Sequence, residues 1–346
     1  MNLDNRIKSF ELLGDLLRRF HENSCDREIL PLVMAARFAY AQNPWFTPEH
    51  IRLALNSLGE LLKSENLSAW LSKYHQKLAE PVTQKTIGVV LAGNIPAVGF
   101  HDFLCVLISG NKLKAKLSSS DALLLPAMAE ILTGYFPEWK EQISFTNGML
   151  EHFDAIIATG SDNTSRYFEY YFGKYQHIIR KTRNSVAVIS GEENENVMQN
   201  MANDIMQYFG MGCRSISKLY VPKGYDFLLL TKALGKFEYY CNHNKYRNNY
   251  DYSKSIFLVN RIPFIDTGYL LFKEDPSIKS RIAVLHYQYY SNITNILDDL
   301  NTKMDSIQCV VCNSSFPLPC VMPGKAQQPA LWEYADNVDT LDFLLS

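Results

Sequence analysis

The sequence predicts an α/β protein: two doubly wound α/β domains behind a helical N-terminal segment. Three observations carry this. Residues 1 to about 80 hold apolar stripes at helical spacing. Residues 86–117 read as strand, turn, helix, strand. The same order recurs from residue 153 and again beyond residue 190.

In the N-terminal segment, Leu12, Leu13, Leu16, Leu17 and Phe20 form one stripe, and Ile51, Leu55, Leu58, Leu61 and Leu62 another. The prolines of "NPWFTPEH" separate them, and Thr47 is placed to cap a helix starting near Pro48. Thr86 to Ala92 reads as a buried strand, Gly93-Asn94-Ile95-Pro96 as a tight turn, Ala97 to Ser109 as a helix closed by Gly110, and Lys112 to Leu117 as the next strand. In "FDAIIATGSDNTSRYFEYYF" a strand ends at Ala158, Gly160-Ser161 turn the chain, and Ser161 or Asp162 caps a helix. "HIIRKTRNSVAVIS" supplies one or two further strands. A helix follows over Asn196 to Phe209, then a strand over Ile216 to Val221. Strand and helix patterns continue to Asn313, and a loop with a short helix ends the chain. The expected division is residues 1–80 as N-terminal helices, 81–190 as a Rossmann-like nucleotide-binding domain, 191–315 as the cysteine-bearing domain, and 316–346 as a segment returning to the nucleotide domain. Ligands of such sheets bind beyond the carboxyl ends of the strands.

Composition narrows the function classes. The chain has 346 residues, 47% hydrophobic and 20% charged, with a net charge of −2. That balance is ordinary for a globular protein and lacks the basic excess of a nucleic-acid binder. No apolar run approaches the roughly 20 residues needed to cross a bilayer. The N-terminus has mixed charges and no signal-peptide core, which points to a cytoplasmic protein. Seven scattered cysteines predict no disulfide framework in a reducing compartment. "CVVC" at Cys309–Cys312 reads as a buried strand rather than a metal half-site, because residues three apart on a strand face opposite ways. No metal is expected.

The chemistry-bearing stretches are few. Neither G-x-G-x-x-G nor a P-loop follows the first strand. "LAGNIP" and "ATGS" instead place backbone N–H groups at helix starts, where an anion is favoured, although such turns often merely connect elements. Asn94 either bonds its own backbone or offers a side-chain amide to a developing oxyanion. Cys213, in "YFGMGCRSISKLYVP", sits behind two glycines and beside Arg214. It is either a small residue filling a turn or a presented nucleophile. His101 and Asp102 suggest part of a triad, but adjacent helical residues do not face each other. The tyrosines of "EYYF" and "HYQYY" are candidates for an acyl channel or for core, and "CNHNKYRNNYDYSKS" reads as a loop near the substrate.

"GNIP", "KLSSSD", "ATGS" and "FGMGCRSISKLYVP" occur in the order seen in the aldehyde dehydrogenase superfamily, which they resemble. With "LAGNIPAVGFHDFL", "SGNKLKAKLSSSDALL" and "QQPALWEYADNVDTLDF" the chain most resembles the LuxC-type fatty acyl-CoA reductases, from about residue 80 to the end. The resemblance implies that Cys213 attacks an acyl thioester and that Asn94 helps hold the oxyanion. It implies cofactor contacts from Gly93, Lys116, Ser118, Ser119, Gly160 and Ser161, and from Glu274 at the nicotinamide ribose. It implies reduction of an acyl-CoA, or acyl-protein, to aldehyde with NADPH, NADH being possible, and coenzyme A as product.

Two departures sharpen this expectation. Hydrolytic members carry a glutamate base in an "ELGGK"-like stretch, and "RKTRNSVAVIS" has no acid there, which favours thiol exchange over hydrolysis. Ser118-Ser119 follow Lys116-Leu117 where a glutamate often holds the adenosine ribose, which removes a charge that would repel a 2′-phosphate. Rival readings are a cysteine acyltransferase or thioesterase without hydride transfer, a phosphate-ester semialdehyde dehydrogenase, and an inactive scaffold. A homo-oligomer, with a dimer as the first guess, and an acyl-transferring partner enzyme complete the expectations.

Overall fold

The computed structural model describes residues 1–79, 83–313 and 316–346. The expected boundaries at residues 80–81 and 315 lie outside the described residues. The chain forms two compact units, Met1–Lys181 with Ala330–Ser346, and Thr182–Pro329.

The first unit begins with α1 (Leu3–Arg18), α2 (Leu30–Gln42), α3 (Pro48–Leu61), α4 (Ser64–Ser72) and α5 (His75–Ala79). Thr47 caps α3 as expected, its hydroxyl accepting from the His50 N–H at 3.2 Å. Then come β1 (Thr86–Val90), α6 (Phe100–Ile108), β2 (Lys112–Lys116), α7 (Leu124–Tyr135), β3 (Ile143–Thr146), β4 (Ala155–Thr159), α8 (Asp162–Phe172) and β5 (Gln176–Arg180). The strands form one parallel sheet in the order β3-β2-β1-β4-β5. The order reverses between β1 and β4, the switch point where open α/β sheets leave a crevice.

The second unit contains β6 (Asn184–Val188), α9 (Glu195–Met206), β7 (Ile216–Pro222), α10 (Leu228–Leu234), α11 (Asn244–Val259), β8 (Ile265–Asp266), β9 (Leu271–Glu274), β10 (Val284–Tyr290), α12 (Ile293–Lys303) and β11 (Ile307–Val311). Its sheet runs β11-β6-β7-β10-β9-β8, parallel except for the short edge strand β8. The expected boundary near residue 190 falls after β6, which belongs to this second sheet. The last helix, α13 (Thr340–Leu344), lies in the first unit.

The core of the first unit joins the helical stripe to the sheet: Leu13, Leu16, Leu17 and Leu55 share one cluster with Ile87, Val89, Leu113 and Ile157. The C-terminal segment is fastened to it by polar groups. Trp70 Nε1 donates to Tyr334 Oη at 2.7 Å, and the Tyr74 hydroxyl, 2.8 Å from that of Tyr334, also donates to Asp339.

As helical geometry implies, His101 and Asp102 turn to separate partners: His101 Nε2 meets the Leu331 carbonyl at 2.9 Å, and Asp102 pairs with Arg180 at 2.6 Å in the interior. Three expectations are corrected here. Residues 244–259 are the helix α11, not a loop, because Tyr246, Tyr250, Ser253 and Phe257 bury one face. Tyr170 and Tyr171 of "EYYF" are exposed on α8 and belong to no core. The absence of disulfides is overturned by Cys312–Cys320. After β11 the chain turns back so that Val321 pairs in parallel with Val311, which brings the second thiol alongside the first. Among the described residues no helix is long and apolar enough to cross a membrane.

Arg180 also donates to Thr340 Oγ1 at 2.8 Å, so the buried pair ties β5, α6 and α13 together. Asp102→Ala leaves that guanidinium buried without its counter-charge. The expected loss is about 3–5 kcal/mol, read as a lower urea midpoint.

Candidate active site

In the first unit the turn residues gather at one sheet edge because parallel strands align their ends. Val90 of β1 is in register with Lys116 of β2 and with Ala158 of β4. The turns after these strands carry Gly93 and Asn94, then Ser118 and Ser119, then Gly160 and Ser161. Lys116 closes β2, and Asn94 is exposed. Ser161, not Asp162, caps α8; its hydroxyl accepts from the Thr164 N–H at 3.3 Å.

Gly93 sits where another turn crosses it. A Cβ there would collide with Ser118 Oγ and lie 2.7 Å from Ser118 Cβ. A residue that sequence reading passed over holds the two turns together. The Asp121 carboxylate accepts from the Ala97 N–H at 2.7 Å and from the Leu124 N–H. Ala97 adopts left-handed backbone at φ 54°, and that hydrogen bond secures it. Burial raises the Asp121 carboxyl to about 6. The one available signal was its place in "KLSSSD".

In the second unit Cys213 is a partly exposed cysteine outside any disulfide, in the turn from Gly212 to Ser215, closed by the Ser215 N–H donating to the Gly212 carbonyl at 3.0 Å. Three left-handed residues precede it: Tyr208 (φ 55°), Phe209 (φ 57°) and Gly210 (φ 71°). Such backbone costs on the order of 1–2 kcal/mol at each non-glycine residue. Aromatic packing holds it, with the Phe209 ring 4.3 Å from Tyr240 and 5.6 Å from Tyr246. The expected helix therefore stops at Met206, because these residues leave helical geometry.

The Cys213 turn is braced from two sides by residues the sequence did not single out. Ser185 Oγ, on β6, donates to the Cys213 carbonyl at 3.0 Å and lies 3.1 Å from Cys309 Sγ. The stretch "RKTRNSVAVIS" thus supplies a serine hydroxyl beside the cysteine backbone. On the other side Gln327 Nε2 donates to Ser215 Oγ at 3.1 Å. Gln327 is held by Asp204, whose carboxylate accepts from the N–H groups of Gly324, Ala326 and Gln327. "QQPALWEY" thus divides its work: Gln327 steadies the cysteine turn, whereas Tyr334 fastens the C-terminal segment in the first unit. Glu274, exposed, closes β9.

A cavity of about 230 Å³ flanks the Cys213 turn within the second unit. Its apolar lining includes Met206, Phe209, Met211, Tyr246, Leu270 and Leu285, with Lys279 and Arg281 at its side.

A family model described as acyl-CoA reductase (LuxC) matches residues 28–228, from just before α2 to the start of α10. The chain belongs to this family. It is an oxidoreductase acting on acyl or aldehyde groups with an aldehyde dehydrogenase-like fold. A putative aldehyde dehydrogenase from Burkholderia cenocepacia superposes with TM-score 0.64 at 12% identity, over 90% of this chain and 74% of that one. The P. syringae indole-3-acetaldehyde dehydrogenase AldA, in complex with NAD+ and IAA, gives TM-score 0.64 at 11% identity over 91% and 72%. The NAD+ complex of a Bacillus cereus aldehyde dehydrogenase gives 0.63 at 13% identity over 91% and 72%. A comparison with curated proteins gives no match.

Burial raises the Asp204 carboxyl from 3.8 to about 6, the three N–H donors only partly offsetting it. A carboxyl raised on folding favours the native state when protonated. That contribution is full below about pH 4 and is lost as pH rises through about 6. Asp204→Asn is expected to remove its share of the decline. The unfolding free energy from urea titration then falls less between pH 4 and 7, by up to about 3 kcal/mol.

Proposed function

We propose that this protein reduces an acyl-CoA, a fatty acyl-CoA first among candidates, to the aldehyde through an acyl group carried on Cys213. The observation that carries this reading is the braced, partly exposed cysteine turn, where Ser185 Oγ donates to the Cys213 carbonyl. Cys213 Sγ bonds to the acyl carbon, the bond from that carbon to the coenzyme A sulfur breaks, and the leaving thiolate takes up a proton as free coenzyme A. The Cys213 N–H and the Asn94 amide are the oxyanion donors that the family resemblance implies. With no base to activate water, the acyl-cysteine persists until it is reduced, and its collapse frees the aldehyde and restores the Cys213 thiolate.

A nicotinamide dinucleotide supplies the hydride when bound. The edge of the first sheet fits such a group. Gly93 lets the β1 turn pack directly on Ser118 of the β2 turn, and the start of α8 behind Gly160 and Ser161 favours a phosphate. Lys116, Ser118 and Ser119 are the contacts for its adenosine end, and Glu274 for its nicotinamide ribose. Serine in place of a ribose-binding carboxylate favours NADPH over NADH.

Cys213→Ala is expected to abolish the acyl-enzyme seen by intact mass and to reduce acyl-CoA-dependent NADPH oxidation by at least about a thousandfold. Thiol release by the wild type without loss of NADPH absorbance overturns the reductase reading in favour of a thioesterase or acyltransferase. Lys116→Ala is expected to raise KM for NADPH about tenfold, with a smaller rise for NADH. Equal effects on both cofactors refute a 2′-phosphate contact.

A further inference from the structure

The loop between β9 and β10, residues 275–283, is clamped in place along its first half. Asp275 Oδ1 accepts from the Ser277 N–H at 2.8 Å. The Pro276 carbonyl accepts from Lys218 Nζ at 2.7 Å and from Lys303 Nζ at 3.1 Å. The Ser277 carbonyl accepts from His286 Nδ1 at 3.0 Å, and the Ile278 carbonyl from Ser217 Oγ at 2.8 Å. Side chains thus hold three successive carbonyls. Beyond them Lys279 and Arg281 stand exposed.

Both residues line two cavities. One is the cavity lined by Met211 and Ile216, on either side of the Cys213 turn. The other, of about 300 Å³, is bounded by Lys273, Asp275, Lys279, Arg281 and His286, with apolar walls that include Phe257 and Ile262. Among the described lining residues the one acid, Asp275, is paired with Lys273 at 2.5 Å, so the wall keeps a net positive charge from Lys279 and Arg281. A chain of net charge −2 has concentrated cations here, next to a cavity whose wall mixes apolar side chains such as Met211 and Leu285 with polar ones.

We propose that Lys279 and Arg281 bind the phosphates of the thiol carrier, while its acyl chain lies along the Met206, Phe209, Met211, Leu270 and Leu285 wall of the first cavity. The shared chemistry is a phosphopantetheine thioester, from coenzyme A or from a carrier protein. Arginine grips phosphate through paired N–H donors, lysine acts as a point charge, and the apolar walls suit the pantetheine methyl groups. This rests on the acyl-thioester reading above.

The test is the double variant Lys279→Ala/Arg281→Ala, whose exposed side chains can be removed with the urea midpoint as a check on folding. Calorimetric affinities of coenzyme A, 4′-phosphopantetheine and phosphate-free pantetheine need no turnover. A loss of about tenfold or more for the first two, with pantetheine unchanged, supports the site. A loss confined to coenzyme A also supports it and assigns the phosphates to that carrier alone. Unchanged affinity for both overturns it. In turnover, the preference in kcat/KM for acyl-CoA over acyl-pantetheine should fall about tenfold. If wild type reduces acyl-CoA and the variant keeps that preference, the phosphate site fails and the reductase stands. If coenzyme A binding is lost in the variant but wild type reduces no acyl-CoA, the reductase reading fails and the site stands.

Discussion

The left-handed run Tyr208–Phe209–Gly210 is the constraint on which the cysteine site depends. It ends α9 abruptly and sends the chain into β7 through a turn instead of a longer helix. Non-glycine residues resist this geometry, so the neighbourhood must impose it. The Phe209 ring, buried against Tyr240, His243 and Tyr246, supplies that support. Strain held by packing is common where a side chain must be presented rather than buried. The same ring lines the cavity of about 230 Å³, so the residue that holds the backbone also shapes the nearest space for a ligand.

Each unit then adds its own bracing, by similar means. In the first, Asp121 draws the β1 and β2 turns together through backbone N–H groups. In the second, Asp204 does the same for the Gly324–Gln327 loop, which reaches Ser215. Both carboxyls are buried and both are raised to about 6. They are costly to ionise in the interior, and the N–H donors that offset this cost are the groups whose positions they fix.

Much of this was legible in the sequence. The βαβ pattern, the Thr47 and Ser161 caps, the turns at Gly93 and Gly160 and the strand after Cys213 follow from local periodicity and turn chemistry. What sequence reading missed depends on residues far apart in the chain. Ser185 means nothing until β6 lies beside β7, and Gln327 means nothing until its loop crosses Ser215. Residues 241–255 read as a loop because their polarity is high, yet one tyrosine face packs α11 down. That His101 and Asp102 do not act together was legible from helical geometry, and the fold gives each its own partner.

By itself the sequence determined the alternation of strands and helices, the family, and the order in which the candidate turns and cysteine appear. Those properties are written in short-range spacing, which each segment carries alone. The tertiary structure decided which turns share a sheet edge, which hydroxyl meets the Cys213 carbonyl, and where Lys279 and Arg281 stand. These are matters of parallel register and loop clamping, and they exist only when distant segments are held side by side.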